Sequence, residues 1–207
     1  MNWTKMTIEE FQDALSSDNP TPGGGTASAI ALGHAASLVA MVANLTIGNE
    51  KWSEGWEVSD SAIILANTVI KDSAKLATDD SDAFEEVMNS FKLPKNNDDE
   101  KNIRREAIRN STLKAAEIPY RTALLALDLL KVMVPLSRYG NQNAISDVGV
   151  AALLATAGCK GALFNVEINL NSLPSDYGSE MRGNYELINN ECRTLSKDIM
   201  HNVKQRL

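Results

Sequence analysis

Apolar and polar positions along the chain repeat mostly at helical spacing and predict a succession of helices. Thr7-Ile8-Glu9-Glu10 has the form of a capping box, Thr at the N-cap and Glu three residues on, and predicts a short helix over about 8–16. Residues 17–25 form a loop by composition, closing on Pro20-Thr21-Pro22-Gly23-Gly24-Gly25. No formally charged residue then stands between Asp18 and Glu50, and the segment predicts a helix over about 25–47 capped by Gly48. A membrane span needs about 20 consecutive predominantly apolar residues. Here Ser28, His34, Ser37 and Asn44 interrupt the run, so a buried core helix is the reading.

A turn around Gly55 leads into a long helical pattern over about 58–91, carried by Ile63, Ala66, Val69, Ile70, Leu76, Phe84 and Val87. Leu93-Pro94-Lys95-Asn96-Asn97 breaks it, and Asp98 opens the next helix. Pro119 is expected to kink or divide that helix, ahead of an apolar run over 123–134. Gly140-Asn141 makes a turn, Ser146 is placed as the N-cap of a helix through Val148 to Leu163, and a last helix covers about 179–205. Residues 164–171 alternate strictly, which is a strand signal, but no second convincing strand exists to pair with them, so they are assigned to helix. The fold class expected is all-α: a bundle of about six to seven helices in one domain, 1–207.

Composition sharpens this picture. The 207 residues include 24 Ala and only 11 aromatics, which suits close-packed helices, and 19 Asn, an excess that packing does not explain. Two His and two Cys exclude a zinc site of scattered ligands and a disulfide framework, and make a reducing cytoplasm the expected compartment. The net charge of −7 excludes nucleic acid as a natural partner, because no basic excess exists to neutralise phosphates. No secretory signal is visible over residues 1–11.

Several constellations carry chemistry. Ala29, Gly33, Ala36, Ala40 and Ala43 make a face of small residues on which another helix can approach closely. Beside it, His34, Ser37 and Asn44 form a polar stripe that either ties the helix to its neighbours or faces a site. Gly23, Gly24 and Gly25 stand at a helix start, where free N–H groups and the dipole attract anions. They match neither a Walker loop nor a dinucleotide fingerprint. Asp79, Asp82 and Glu86 share a helical face, with Asp80 and Glu85 alongside; they suit acid–base work, a metal or a solvated surface, and no Glu-x-x-His partner supports a di-iron bundle. Lys92, Lys95, Lys101, Arg104, Arg105 and Arg109 concentrate positive charge in an acidic chain. Residues 140–149 gather Asn141, Asn143, Ser146 and Asp147 at a helix N-terminus, where amides suit the edge of a heterocycle and the dipole favours an ionised Asp147.

Taken together, Pro20-Thr21-Pro22-Gly23-Gly24-Gly25, Met41-Val42-Ala43-Asn44-Leu45-Thr46-Ile47-Gly48 and Gly140-Asn141-Gln142-Asn143-Ala144-Ile145-Ser146-Asp147-Val148-Gly149 resemble the cyclodeaminase/cyclohydrolase family. This is the family of the C-terminal domain of formiminotransferase-cyclodeaminase. Asp82-Ala83-Phe84, Leu93-Pro94-Lys95 and Asn165-Val166-Glu167-Ile168-Asn169-Leu170 resemble it too, in order, over nearly the whole chain. The resemblance implies an all-α homodimer in its stand-alone form, helix over 164–171, and a tetrahydrofolate derivative as substrate with no permanently bound cofactor and no metal. It leaves two reactions open: cyclodeamination of 5-formiminotetrahydrofolate, and hydrolysis of 5,10-methenyltetrahydrofolate.

On that resemblance, Asp147, Asp82 and Lys95 are the candidate catalytic residues. Asp147 would pair with the cationic carbon–nitrogen unit or act as base, Asp82 would be a second acid–base group, and Lys95 would bind a glutamate tail or donate a proton. Gly23, Gly24, Gly25, Asn44, Asn141, Asn143 and Ser146 would bind substrate. The alternatives are a folate-binding or scaffold dimer without catalysis, and a metal-dependent hydrolase using the carboxylates of 79–86.

Overall fold

The computed structural model describes residues 2–207; Met1, part of the expected domain, lies outside them. Six α-helices account for most of the chain: α1 (Ile8–Ser16), α2 (Gly24–Thr46), α3 (Trp56–Phe91), α4 (Asp98–Tyr139), α5 (Ile145–Asn171) and α6 (Ser179–Arg206). Short 3-10 turns cover Trp3–Lys5, Glu50–Gly55 and Gln142–Ala144. No strand occurs among the described residues, and residues 164–171 lie inside α5. Their alternating pattern reflects an apolar helix with exposed Phe164 and Ile168, not a pleat.

α2 packs between α3 and α5, α4 closes the ring against the same two helices, and α6 lies along α4 and α5. Small residues let these axes approach. A Cβ on Gly33 would stand 2.7 Å from Ser73 Oγ of α3, and one on Gly158 would stand 2.9 Å from the Ser28 carbonyl oxygen of α2. The core between them is built from Leu32, Val39, Val42, Leu129, Leu130, Met133, Leu163 and many alanines. A smaller apolar cluster of Trp3, Ala29, Leu76 and Ala77 seats the N-terminal turn, and Phe11 and Ala14 of α1 pack on it.

The helix ends follow local chemistry. Thr7 and Glu10 form the full capping box at α1. Gly48, at φ +77°, supplies the left-handed residue beyond α2. Ser146 does not cap α5; the helix begins at Ile145 after Ala144, because the turn Gln142–Ala144 leads directly into it. Pro119 does not divide α4, which runs unbroken through Pro119 and Pro135. Proline has no N–H for the carbonyl four residues back, and that carbonyl, on Ala115, instead accepts from Asn169 Nδ2 of α5 at 3.1 Å.

This compensation is testable. Asn169→Leu leaves the Ala115 carbonyl unpaired and should cost about 1–3 kcal/mol in urea unfolding. In a Pro119→Ala background the restored backbone amide takes that carbonyl, and the cost should shrink. Equal costs in both backgrounds would contradict the pairing.

Candidate functional site

The glycine-rich start of α2 is the centre of the candidate site. Gly23 offers no side-chain cap, so the first amides of α2 need another partner. Asp80 of α3 meets this first turn: Thr26 Oγ1 donates to Asp80 Oδ2 at 3.0 Å. Gly25 makes the approach possible, since a Cβ there would run into the Asp80 carboxyl group. Burial pushes the Asp80 pKa up, and the Thr26 hydrogen bonds pull against it.

Asp80 faces a cavity of about 240 Å³, lined also by Thr21, Gly23, Gly24, Phe84, Val87, Asn165, Ile168 and Asn169. Among the described residues it is the only charged group in that lining. The amide groups of Asn165 and Asn169 donate inside the bundle, Asn165 Nδ2 to the Gly161 carbonyl at 2.9 Å and Asn169 Nδ2 to the Ala115 and Asn165 carbonyls. Both side-chain carbonyl oxygens, and the second N–H of Asn165, are what they can offer a ligand. Pro20, Thr21 and Phe84 also border a larger cleft of about 700 Å³, whose wall includes Trp3, Met6, Asp82, Met88 and Lys92. A third hollow, about 600 Å³, collects Lys95, Lys101, Arg104, Arg105 and Arg109 beside Ser172 and Pro174.

The expected site residues therefore divide into groups. Gly23, Gly24 and Gly25 are in the inner cavity and Asp82 is in the adjoining cleft. Lys95 lies in the basic hollow. Asn44, Asn143, Ser146 and Asp147 gather at the other end of α2 and α5. At about 1.5 Å per residue, Asp147 is roughly 27 Å along α5 from Asn165, and Asn44 roughly 30 Å along α2 from Gly24. Asn141 is 8% exposed and stitches the fold: its N–H meets Thr46 Oγ1 and its Nδ2 meets the Leu45 carbonyl, both at 2.9 Å, while its Oδ1 accepts from the Asn143 N–H. The stripe of His34, Ser37 and Asn44 is exposed, not buried. Among the described residues no three His, Cys, Asp or Glu side chains come together as a metal site.

The sequence pattern sets Asp80 alongside the face of Asp79, Asp82 and Glu86 and makes Asp82 the candidate; the structure places Asp80, not Asp82, in the inner cavity. The signal for it was present: Ala66, Val69, Ser73, Ala77 and Asp80 continue one stripe at helical spacing, and the first four are buried. A carboxylate at the end of a core stripe is a stronger pointer than carboxylates on an outer face.

The molecule is thus an all-α bundle with a carboxylate set against a glycine-opened helix start. The family profile of formiminotransferase-cyclodeaminase matches residues 7–185, and the chain belongs to that family. It is 35% identical over 202 residues to a methenyltetrahydrofolate cyclohydrolase of Methylorubrum extorquens, covering 97% of both proteins. It is 25% identical over 201 residues to a formimidoyltransferase-cyclodeaminase of Rattus norvegicus, covering 97% of this chain and 37% of that longer one. The solved formiminotetrahydrofolate cyclodeaminase of Thermotoga maritima matches with a TM-score of 0.81 at 27% identity, over 99% of this chain and 96% of that one.

The raised Asp80 pKa has a stability consequence. Below the ordinary carboxylate range, near 3.9, Asp80 is neutral folded and unfolded and no charge is buried. As pH rises through the folded pKa, the penalty of the buried charge appears in full. Asp80→Asn should therefore raise the urea midpoint at neutral pH, and the gain should fade as pH drops below about 4. A gain independent of pH would contradict the burial of charge.

Proposed function

We propose that the chain is a tetrahydrofolate one-carbon enzyme that opens the bridge of 5,10-methenyltetrahydrofolate with water to give 10-formyltetrahydrofolate. The observation that carries this reading is Asp80, a carboxylate lifted above its ordinary range in a cavity whose other lining is neutral. The similarity to a full-length cyclohydrolase supports it. The methenyl bridge is a cationic amidinium, which an adjacent carboxylate attracts. Asp80 takes one proton from the attacking water as its oxygen bonds to the bridge carbon; the bond from that carbon to N5 then breaks as the carbon–oxygen double bond forms, N5 receives the proton held by Asp80, and the remaining hydroxyl proton is released to solvent. A general base of this kind contributes about 10²–10⁴ in rate.

The surrounding groups suit the rest of the substrate. The Asn165 and Asn169 oxygens accept from ring N–H groups, Phe84 offers a flat ring to a pterin, and Met88 and Asp82 line the adjoining cleft, Asp82 as a second acid–base group. The basic hollow around Lys95 suits the anionic glutamate end. The name of the Thermotoga maritima neighbour favours a second reading, cyclodeamination, in which N10 adds to the formimino carbon and Asp80 protonates the departing ammonia.

A homodimer belongs to the same proposal. α2 and α5 are long and apolar enough to cross a membrane by length and composition, yet half of each such window is buried within the bundle. Their outer faces expose Met41, Leu45, Val150, Leu153, Phe164 and Ile168 together. A second copy laid antiparallel on this face covers it and brings its own Asn44, Asn143, Ser146 and Asp147 toward the Gly24 and Asp80 end of the first. Two buried free cysteines agree with a cytoplasmic setting.

The near-UV absorbance of methenyltetrahydrofolate is the assay. The protein should accelerate its loss, and Asp80→Asn should lower turnover at least about 10²-fold. Acceleration of neither its loss nor its formation from the formimino compound leaves a folate-binding dimer without catalysis. Sedimentation should give a dimer at micromolar concentration, and Leu153→Glu should give monomer; a monomeric parent chain would sink the dimer.

A further inference from the structure

The N-terminal turn Trp3–Lys5 stands outside the helical ring, yet Trp3 is only 7% exposed. Its ring sits edge-on to Phe11, with centroids 6.4 Å apart. Its Nε1 donates to Ser81 Oγ at 2.9 Å. Ser81 Oγ lies 3.1 Å from Thr26 Oγ1, and Thr26 Oγ1 donates to Asp80 Oδ2 at 3.0 Å. The two ends fix the direction of the middle bond. An indole N–H only donates, and an ionised carboxylate only accepts. Ser81 therefore accepts from Trp3 and donates to Thr26, and three bonds run one way from the N-terminal turn to the site carboxylate.

We propose that Trp3 is a positioning residue for Asp80, acting through Ser81 and Thr26 as a one-way hydrogen-bond chain. The role in turnover rests on the reading of Asp80 as the proton carrier. Each donor polarises the next, so the chain holds the carboxylate in place and favours its ionised form. It acts against burial, in the direction in which Thr26 already pulls. Other charges near Asp80 are accounted for. On α3, Asp79 is paired with Lys75, and Asp82 follows one turn on. From α4 comes Lys114, held by Glu86 at 2.8 Å. α2 and α5 face it with Thr26, Asn165 and Asn169, all neutral, and Lys5 is exposed on the N-terminal turn.

The test uses the full chain and two readouts. Trp3→Phe keeps a buried ring and removes the donor, Ser81→Ala breaks the chain in the middle, and Ser81→Thr keeps a hydroxyl there. The Asp80 side-chain carboxyl is titrated by carbon NMR, and the pH profile of methenyltetrahydrofolate turnover is recorded alongside. Trp3→Phe and Ser81→Ala should both move the Asp80 titration and the acidic limb of kcat upward by about half a pH unit or more, while Ser81→Thr returns them toward the parent. An Asp80 midpoint unchanged in both variants overturns the proposal. A midpoint that moves while the kinetic limb stays put supports the chain and removes Asp80 as the proton carrier. Should Trp3→Phe fail to fold, Ser81→Ala reads the same chain.

Discussion

The arrangement at the start of α2 depends on one contact, the carboxylate of Asp80 against Thr26. A helix beginning Gly23-Gly24-Gly25 has no side chain of its own to satisfy its first amides. A carboxylate from the neighbouring helix can meet that first turn only if the two backbones are close, and only glycine at position 25 leaves that room. The same closeness removes water from Asp80 and lifts its pKa. Helix start, helix packing and acid–base character are thus three aspects of one contact, and none can be changed alone. That coupling explains why a residue with an evident structural role is also the best chemical candidate.

The rest of the bundle follows the same economy of small residues. α2 meets α3 at Gly33 and Ser73, and α5 at Ser28 and Gly158. Close axes leave little space for bulky side chains, which accounts for the high alanine count and few aromatics. They also put side-chain amides within reach of a neighbour's backbone. Asn169 repairs the carbonyl orphaned by Pro119, and Asn141 ties the end of α2 to the start of α5. Part of the asparagine excess is therefore structural: these amides serve backbone groups that the helices cannot satisfy themselves.

Legibility followed the range of the physics involved. Helix boundaries rest on local signals, and the capping box at Thr7, the glycine after α2 and the acids at the start of α4 were readable from a few neighbouring residues. Pro119 does not divide α4, and the carbonyl it orphans is served by a residue 50 positions further along the chain, beyond the reach of local signals. Ser146 misled because a preceding 3-10 turn shifted the helix start by two residues. The family was legible because its motifs recur in order, whereas the site was only half legible. Motifs mark which residues matter and not which of them meet. Gly25 and Asp80 are 55 positions apart, and only the antiparallel packing of α2 on α3 brings them together.

The same limit bears on the motif residues far from the cavity. Asn44 and Asp147 lie at one end of α2 and α5, Gly24 and Asn165 at the other, and no bend in either helix brings them together. The face that joins the two ends is apolar, and Ile168, which lines the inner cavity, is 72% exposed on it. An exposed apolar strip on a chain of this charge is costly in water unless something covers it. The antiparallel dimer proposed above would provide that cover and would also account for the motifs, since two-fold symmetry would pair each end of the face with the opposite end of the partner. On this reading the cavity wall at Ile168 is closed by the second chain. The small-residue interior of α2 packs the bundle, while its outer stripe of His34, Ser37 and Asn44 is exposed and in the proposed dimer would lie where two bundles meet.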